Sequence, residues 1–103
     1  MRTTAKDFEK FKKSFEKYKE KLGVRNVEII FEHTLLKSND AEIAYYFDDV
    51  SAVVGLSTET NRSDMDFLAK HEAAELFLAE LRCLAEMRYV QANSIEAGFH
   101  KAV

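Results

Sequence analysis

The chain reads as an α+β domain: an amino-terminal helix, a three-stranded and mainly antiparallel sheet, a long central helix and a short carboxy-terminal helix. Three observations lead there. Apolar residues recur at three- and four-residue steps from Phe8 to Leu22 and crowd the stretch from Phe67 to Leu81, as helices require. Between them, from Val27 to Ser57, they alternate or form short β-branched and aromatic blocks bounded by polar turns. The 103 residues, 47% apolar and 32% charged, suit a single domain spanning 1–103 with one modest core, and exclude a disordered or fibrous chain.

The first helix carries Phe8, Phe11, Phe15, Tyr18 and Leu22 as one apolar stripe on a lysine-rich rod. Thr4, with Asp7 three positions on, is its N-cap, and Gly23 is a natural C-cap residue. Such a stripe packs on a sheet or another helix, or forms the seam of a homodimer. Three strands follow. Val27, Ile29 and Phe31 alternate in the first, which closes at Glu32 and His33. After the polar connection Lys37 to Asp40, the run Ala41 to Phe47 and the run Val50 to Ser57 flank a turn at Asp48 and Asp49, and read as an antiparallel hairpin beside the first strand. Residues 58–62 read as a loop. Ser63 and Asp66 form a second capping box, opening a helix whose apolar residues surround almost its whole circumference, so it is expected to be buried on most sides. Asn93 and Ser94 are expected to cap a last helix from Ile95, with Glu96 in its first turn.

Composition narrows the function classes. No apolar run approaches a membrane span, and the opening MRTTAKDFEKFKK has no apolar block behind its charges, so neither membrane insertion nor a secretory leader is expected. A single cysteine, Cys83, has no partner for an internal disulfide and suits the cytoplasm. Residues 6–21 hold seven lysines against Asp7, Glu9, Glu16 and Glu20. They are read as a solvated face with lysines and glutamates pairing at i,i+4, because no aromatic or arginine clusters with the lysines on their own face; a nucleic-acid partner is not expected. His33 is expected to be exposed, and Cys83 a packed thiol.

The chemistry-bearing group is His71-Glu72-Ala73-Ala74-Glu75. On a helix His71 and Glu75 lie one turn apart on one face, a spacing that lets two side chains grip one metal ion. Glu72 sits on the adjoining face, within reach of a water to deprotonate. This is the spacing of the HExxH zinc-hydrolase helix with glutamate at the second histidine position. His-Glu followed by Glu is also common in acidic amphipathic helices. Two features favour the metal: ionisable groups in an apolar helix are costly unless partnered, and His100 downstream offers a third ligand.

The chain resembles a family of small metallopeptidase-like proteins encoded by bacteriophages and mobile elements, distantly related to SprT-like zincins. The resemblance rests on the lysine-rich first helix ending in KLG, the strand VEIIFEH, the hairpin AEIAYYFDDVSAVVGLS, the helix LAKHEAAELFLAEL and the tail LAEMRYVQANSIEAGFHKAV, and covers residues 7–103. It implies a minimal zincin-like domain with zinc as cofactor, His71 as a metal ligand and Glu72 as the general base. Glu75 stands where the family has its second histidine. His100 falls at the tail histidine, with Glu96 one turn earlier as its substitute. Arg88 and Tyr89 match the tail and would order the segment joining the last helices. The substrate implied is a protein or peptide.

The glutamate at 75 leaves two readings. A carboxylate in place of imidazole lowers the net charge at the ion and makes water there less acidic, which weakens hydrolysis and shifts preference toward a harder ion such as manganese, or toward no metal. The first reading is a zinc-dependent peptidase. The second is a catalytically degenerate zincin scaffold that binds a host or phage protein.

Overall fold

The computed structural model describes the backbone of residues 1–102 and the side chains of residues 1–88. Five elements follow in order: α1 (Ala5–Lys21), β1 (Glu28–Thr34), β2 (Ala41–Tyr46), β3 (Ser51–Ser57) and α2 (Met65–Ala102). The α+β order is the one expected. The chain is two layers, with α1 and α2 on one face of a three-stranded sheet.

α1 is specified locally at both ends. Thr4 Oγ1 accepts from the Asp7 N–H at 3.1 Å while the Thr4 N–H donates to Asp7 Oδ2 at 2.9 Å, a reciprocal capping box. At the other end Gly23 takes φ +76°, its N–H donates to Glu20 O at 3.0 Å, and the Val24 N–H donates to Lys19 O at 3.1 Å. This is a Schellman motif, and its left-handed position favours glycine. The apolar stripe packs inside the chain: Phe11 and Phe15 are fully buried, and the Phe15 ring meets Phe31 of β1 edge-on at 5.6 Å between centroids.

The sheet order is β1-β3-β2. β2 and β3 form the expected antiparallel hairpin, Ala41 opposite Leu56 and Tyr46 opposite Ser51. β1, however, runs parallel to β3, so the sheet is mixed rather than mainly antiparallel. The Leu35 to Asp40 connection carries β2 past the neighbouring position, and the hairpin then returns β3 into the gap beside β1. Register puts Ile29, Ala52 and Tyr45 on one rung and Phe31, Val54 and Ile43 on the next, all facing the helices. The opposite face carries Ile30, Val53 and Ala44, then Glu32, Gly55 and Glu42, with no element over it among the described residues. Both β1 and β2 are edge strands.

The amino terminus adds a pairing with no sequence signal. The Thr3 N–H donates to Thr58 O at 2.8 Å and the Thr60 N–H to Met1 O at 2.7 Å, so residues 1–3 lie along 58–60, which sequence alone reads as loop.

α2 corrects three expectations. Its N-cap is Asp64, whose Oδ1 accepts from the Phe67 N–H at 3.1 Å, rather than Ser63. Among its described side chains it is buried on one face only: Leu68, Ala69, Ala73 and Leu76 are at most 7% exposed, whereas Phe67, Leu78, Leu81, Leu84 and Met87 are 42–55% exposed. A 38-residue helix is about 57 Å long and a seven-residue strand about 23 Å, so only the first turns of α2 have sheet beneath them. Finally, the helix is continuous through Asn93 and Ser94, where a break and a separate short carboxy-terminal helix were expected. No proline interrupts it, and asparagine or serine each cost well under about 1 kcal/mol in a helix interior, less than ending the hydrogen-bond ladder.

Candidate functional site

The first four turns of α2 present two different faces to two different environments. Leu68, Ala69, Glu72, Ala73 and Leu76 recur at the spacing of one buried stripe, and Glu72 is the one ionisable member, 6% exposed. His71 and Glu75 lie next to that stripe on the solvent side, their side chains 60% and 54% exposed.

Burial pushes the Glu72 carboxyl up to about 7, with the nearby carboxylates of Glu75 and Glu42 adding to the rise and His71 opposing it. No hydrogen bond from the described residues offsets that burial. Glu72 lines a shallow depression of about 280 Å³ together with His71, Leu68, Phe67, Arg62, Asp40 just before β2 and Ala41 at its start. Asp40 is fixed there by accepting from the Asn61 N–H at 2.9 Å. The Arg62 guanidinium stacks 4.5 Å over the Phe67 ring. An edge strand, a buried carboxyl of raised pKa and a histidine therefore meet at one wall.

His71 Nε2 and Glu75 Oε1 are 3.5 Å apart across one helical turn. As an exposed ion pair this is worth little. As a donor pair it fits a cation: two ligands about 2.0–2.1 Å from a tetrahedral zinc lie roughly 3.3 Å from each other. The 3.5 Å separation is close to that spacing. Among the described residues, no group of three or more histidine, cysteine or acidic side chains converges on a point. The expected third ligand, His100, its substitute Glu96, and Tyr89 lie outside the residues whose side chains are described. Arg88 is exposed on α2.

One residue, His33, differs from its sequence reading. His33 is half-buried rather than exposed: its ring stacks on Phe8 at 4.8 Å and 13°, and Nε2 lies 2.7 Å from Thr3 Oγ1. The Thr3 hydroxyl donates its one proton to Ser57 O at 2.7 Å, so the His33 Nε2–H is the donor to Thr3. This histidine ties the amino terminus to the sheet. Cys83 is half-buried near Tyr45, whose phenol is raised by burial and by the proximity of Glu80 and Cys83. Glu80 Oε2 is buried without a hydrogen-bond partner among the described residues.

Sequence reasoning missed Asp40 and Arg62, which sit in polar connections with no motif around them. It placed Glu72 on the adjoining face but missed that Glu72 alone of the three is buried. The spacing 68, 69, 72, 73, 76 carries that signal, but the apolar residues on the outer face of α2 hide it. Comparison with protein-family models, curated proteins and solved structures finds no match to this chain. Among the described residues, no helix is long and apolar enough to cross a membrane.

Proposed function

We propose that this chain is a zincin-like, metal-dependent hydrolase of peptide bonds, of the small cytoplasmic kind that its resemblance to phage-encoded metallopeptidases implies. The reading rests on one observation: the Glu72 carboxyl is held 6% exposed on an otherwise apolar stripe, is pushed up to about 7, and lines a depression beside His71. A proton carrier works best when its pKa is close to the working pH. His71 and Glu75 would hold the ion, with His100 as the third ligand. A bound divalent ion supplies Lewis-acid polarisation of a carbonyl and makes neighbouring water more acidic.

The chain's own residues do the rest. The Glu72 carboxylate accepts a proton from water in the depression and, once protonated, gives it to the departing amine. The surrounding Leu68, Ala69 and Ala73 keep bulk water from the carboxyl's inner side and hold it near neutrality of charge. The wall at Asp40 and Ala41 begins edge strand β2, whose free backbone groups can align an extended peptide.

A second reading, the degenerate scaffold that binds a protein partner, is favoured by Glu75 itself: a carboxylate resting on His71 needs no ion to be satisfied. The pair His71→Ala and Glu72→Gln separates the two. Under the hydrolase reading the first loses metal and turnover, while the second keeps metal and loses turnover. Turnover by Glu72→Gln equal to that of the parent contradicts the mechanism.

A further inference from the structure

α1 carries its charge unevenly. At 100° per residue, Lys6, Lys10, Lys13, Lys17 and Lys21 fall within an arc of roughly 80°, a stripe about 22 Å long. All five are exposed. The ion pairs that α1 makes lie off that arc: Lys12 to Glu9 at 2.7 Å and Lys19 to Glu16 at 3.8 Å. Two of the flanking glutamates are thus drawn to the far side, and the stripe lysines have no carboxylate at ion-pair distance among the described residues. α2 adds Lys70 to this face and also Asp66, whose carboxyl is held below its ordinary value by hydrogen bonds from Tyr18 and Ser14 and by the nearby charges of Lys17 and Lys10. The ammonium groups of Lys17, Lys21 and Lys70 lie 5.4, 5.7 and 5.8 Å from the centre of the Tyr18 ring, which is anchored by its O–H donating to Asp66 Oδ2 at 2.7 Å. The expectation of pairing at i,i+4 and of no aromatic beside the lysines therefore does not describe this face.

We propose that the Lys6–Lys21 stripe with Lys70 binds the phosphate backbone of nucleic acid without reading sequence. The chain has net charge −3, so the stripe is a local feature rather than a consequence of overall charge. Five lysines along about 22 Å can meet about three to five phosphates of a duplex, which carries roughly one charge per 1.7 Å of axis. α1 has no arginine, and its lysines are suited to phosphate contact rather than bidentate base recognition. A membrane surface fits less well. A basic helix lying in a lipid interface inserts its apolar face, and here Phe11 and Phe15 of that face are fully buried in the core. This inference does not depend on the hydrolase reading.

The test is fluorescence anisotropy of the full chain on a labelled duplex DNA of about 20 base pairs, in potassium chloride from about 25 to 200 mM. Neutralising three to five phosphates gives a slope of log affinity on log salt of about −3 to −4.5. The triple variant Lys10→Gln, Lys13→Gln, Lys17→Gln is expected to weaken binding at least about tenfold and make the slope shallower by about 2 to 3. The off-stripe control Lys12→Gln, Lys19→Gln should change affinity less than about twofold. Circular dichroism checks that α1 persists; if it does not in the triple variant, Lys13→Gln and Lys17→Gln alone should each reduce the slope by about one. No binding at the lowest salt, equal loss in stripe and control variants, or binding to phosphatidylserine vesicles without binding to DNA overturns the proposal.

Discussion

Replacing Glu72 by glutamine should make the protein more stable, and only at neutral to alkaline pH. The carboxyl sits at an ordinary 4.5 when the chain is unfolded and at about 7 when folded. Between those values the folded state holds a proton that the unfolded state has lost, so stability is greatest below about 4.5 and falls as pH rises through about 7. At ~1.4 kcal/mol per pH unit the loss is about 3 kcal/mol, a ceiling because some water reaches the carboxyl through the depression. Glutamine has the same shape and no charge. Its variant is expected to exceed the parent by about 2 to 3 kcal/mol at pH 8.5 and by under about 1 kcal/mol at pH 4.5. With an m-value on the order of 1 kcal/mol/M, the urea midpoint at pH 8.5 should rise by about 2 to 3 M. Chelator must be present, since a cation held by His71 and Glu75 would lower the Glu72 pKa and mask the effect. A glutamine variant no more stable at pH 8.5, or a gap that is the same at both pH values, refutes the argument. Stability given up for an ionisable group in an apolar stripe is the pattern expected of a working site.

Other expectations follow from single contacts. Thr3→Val removes the acceptor for His33 and the donor to Ser57 O, and should cost about 1 to 2 kcal/mol in urea unfolding. Adding His33→Phe to that variant should cost little more, since both partners of the lost bond are then apolar; full additivity contradicts the pairing. Val50, a β-branched residue, holds φ +49° at the end of the β2–β3 turn, so Val50→Gly should gain about 1 kcal/mol and raise Tm by about 4–8 °C, and a fall in Tm counts against the strain. Phe15→Ala, in the centre of the α1 stripe, should cost about 3 to 5 kcal/mol; a loss under 1 kcal/mol would place that ring outside the core.

How much was legible in the sequence followed the range of the interactions. α1 was readable to the residue because Thr4, Asp7 and Gly23 act within one turn of themselves. The β2–β3 hairpin was readable because its strands pair across a short turn. The parallel pairing of β1 with β3 joins Glu28 to Ser51 across the whole of β2, and no local pattern reports it. His33 appeared exposed because its partners, Phe8 and Thr3, come from the other end of the chain. In α2 the ambiguity was compositional: apolar residues on both faces disguise which face is buried, since the helix outruns the sheet. The pair His71 and Glu75 was legible from helical spacing alone. The burial of Glu72 between Leu68 and Leu76, and the arrival of Asp40 and Arg62 beside it, depend on how α2 docks against β2.

The central claim is that His71 and Glu75 hold a metal ion next to a proton-carrying Glu72. Elemental mass spectrometry on tag-free protein, as isolated and after incubation with excess zinc, tests it most directly, beside a His71→Ala control. The hydrolase account predicts close to one zinc or manganese per chain, lost in the control. A protein that stays empty in excess zinc contradicts it and leaves the α2 helix as a scaffold for binding a partner.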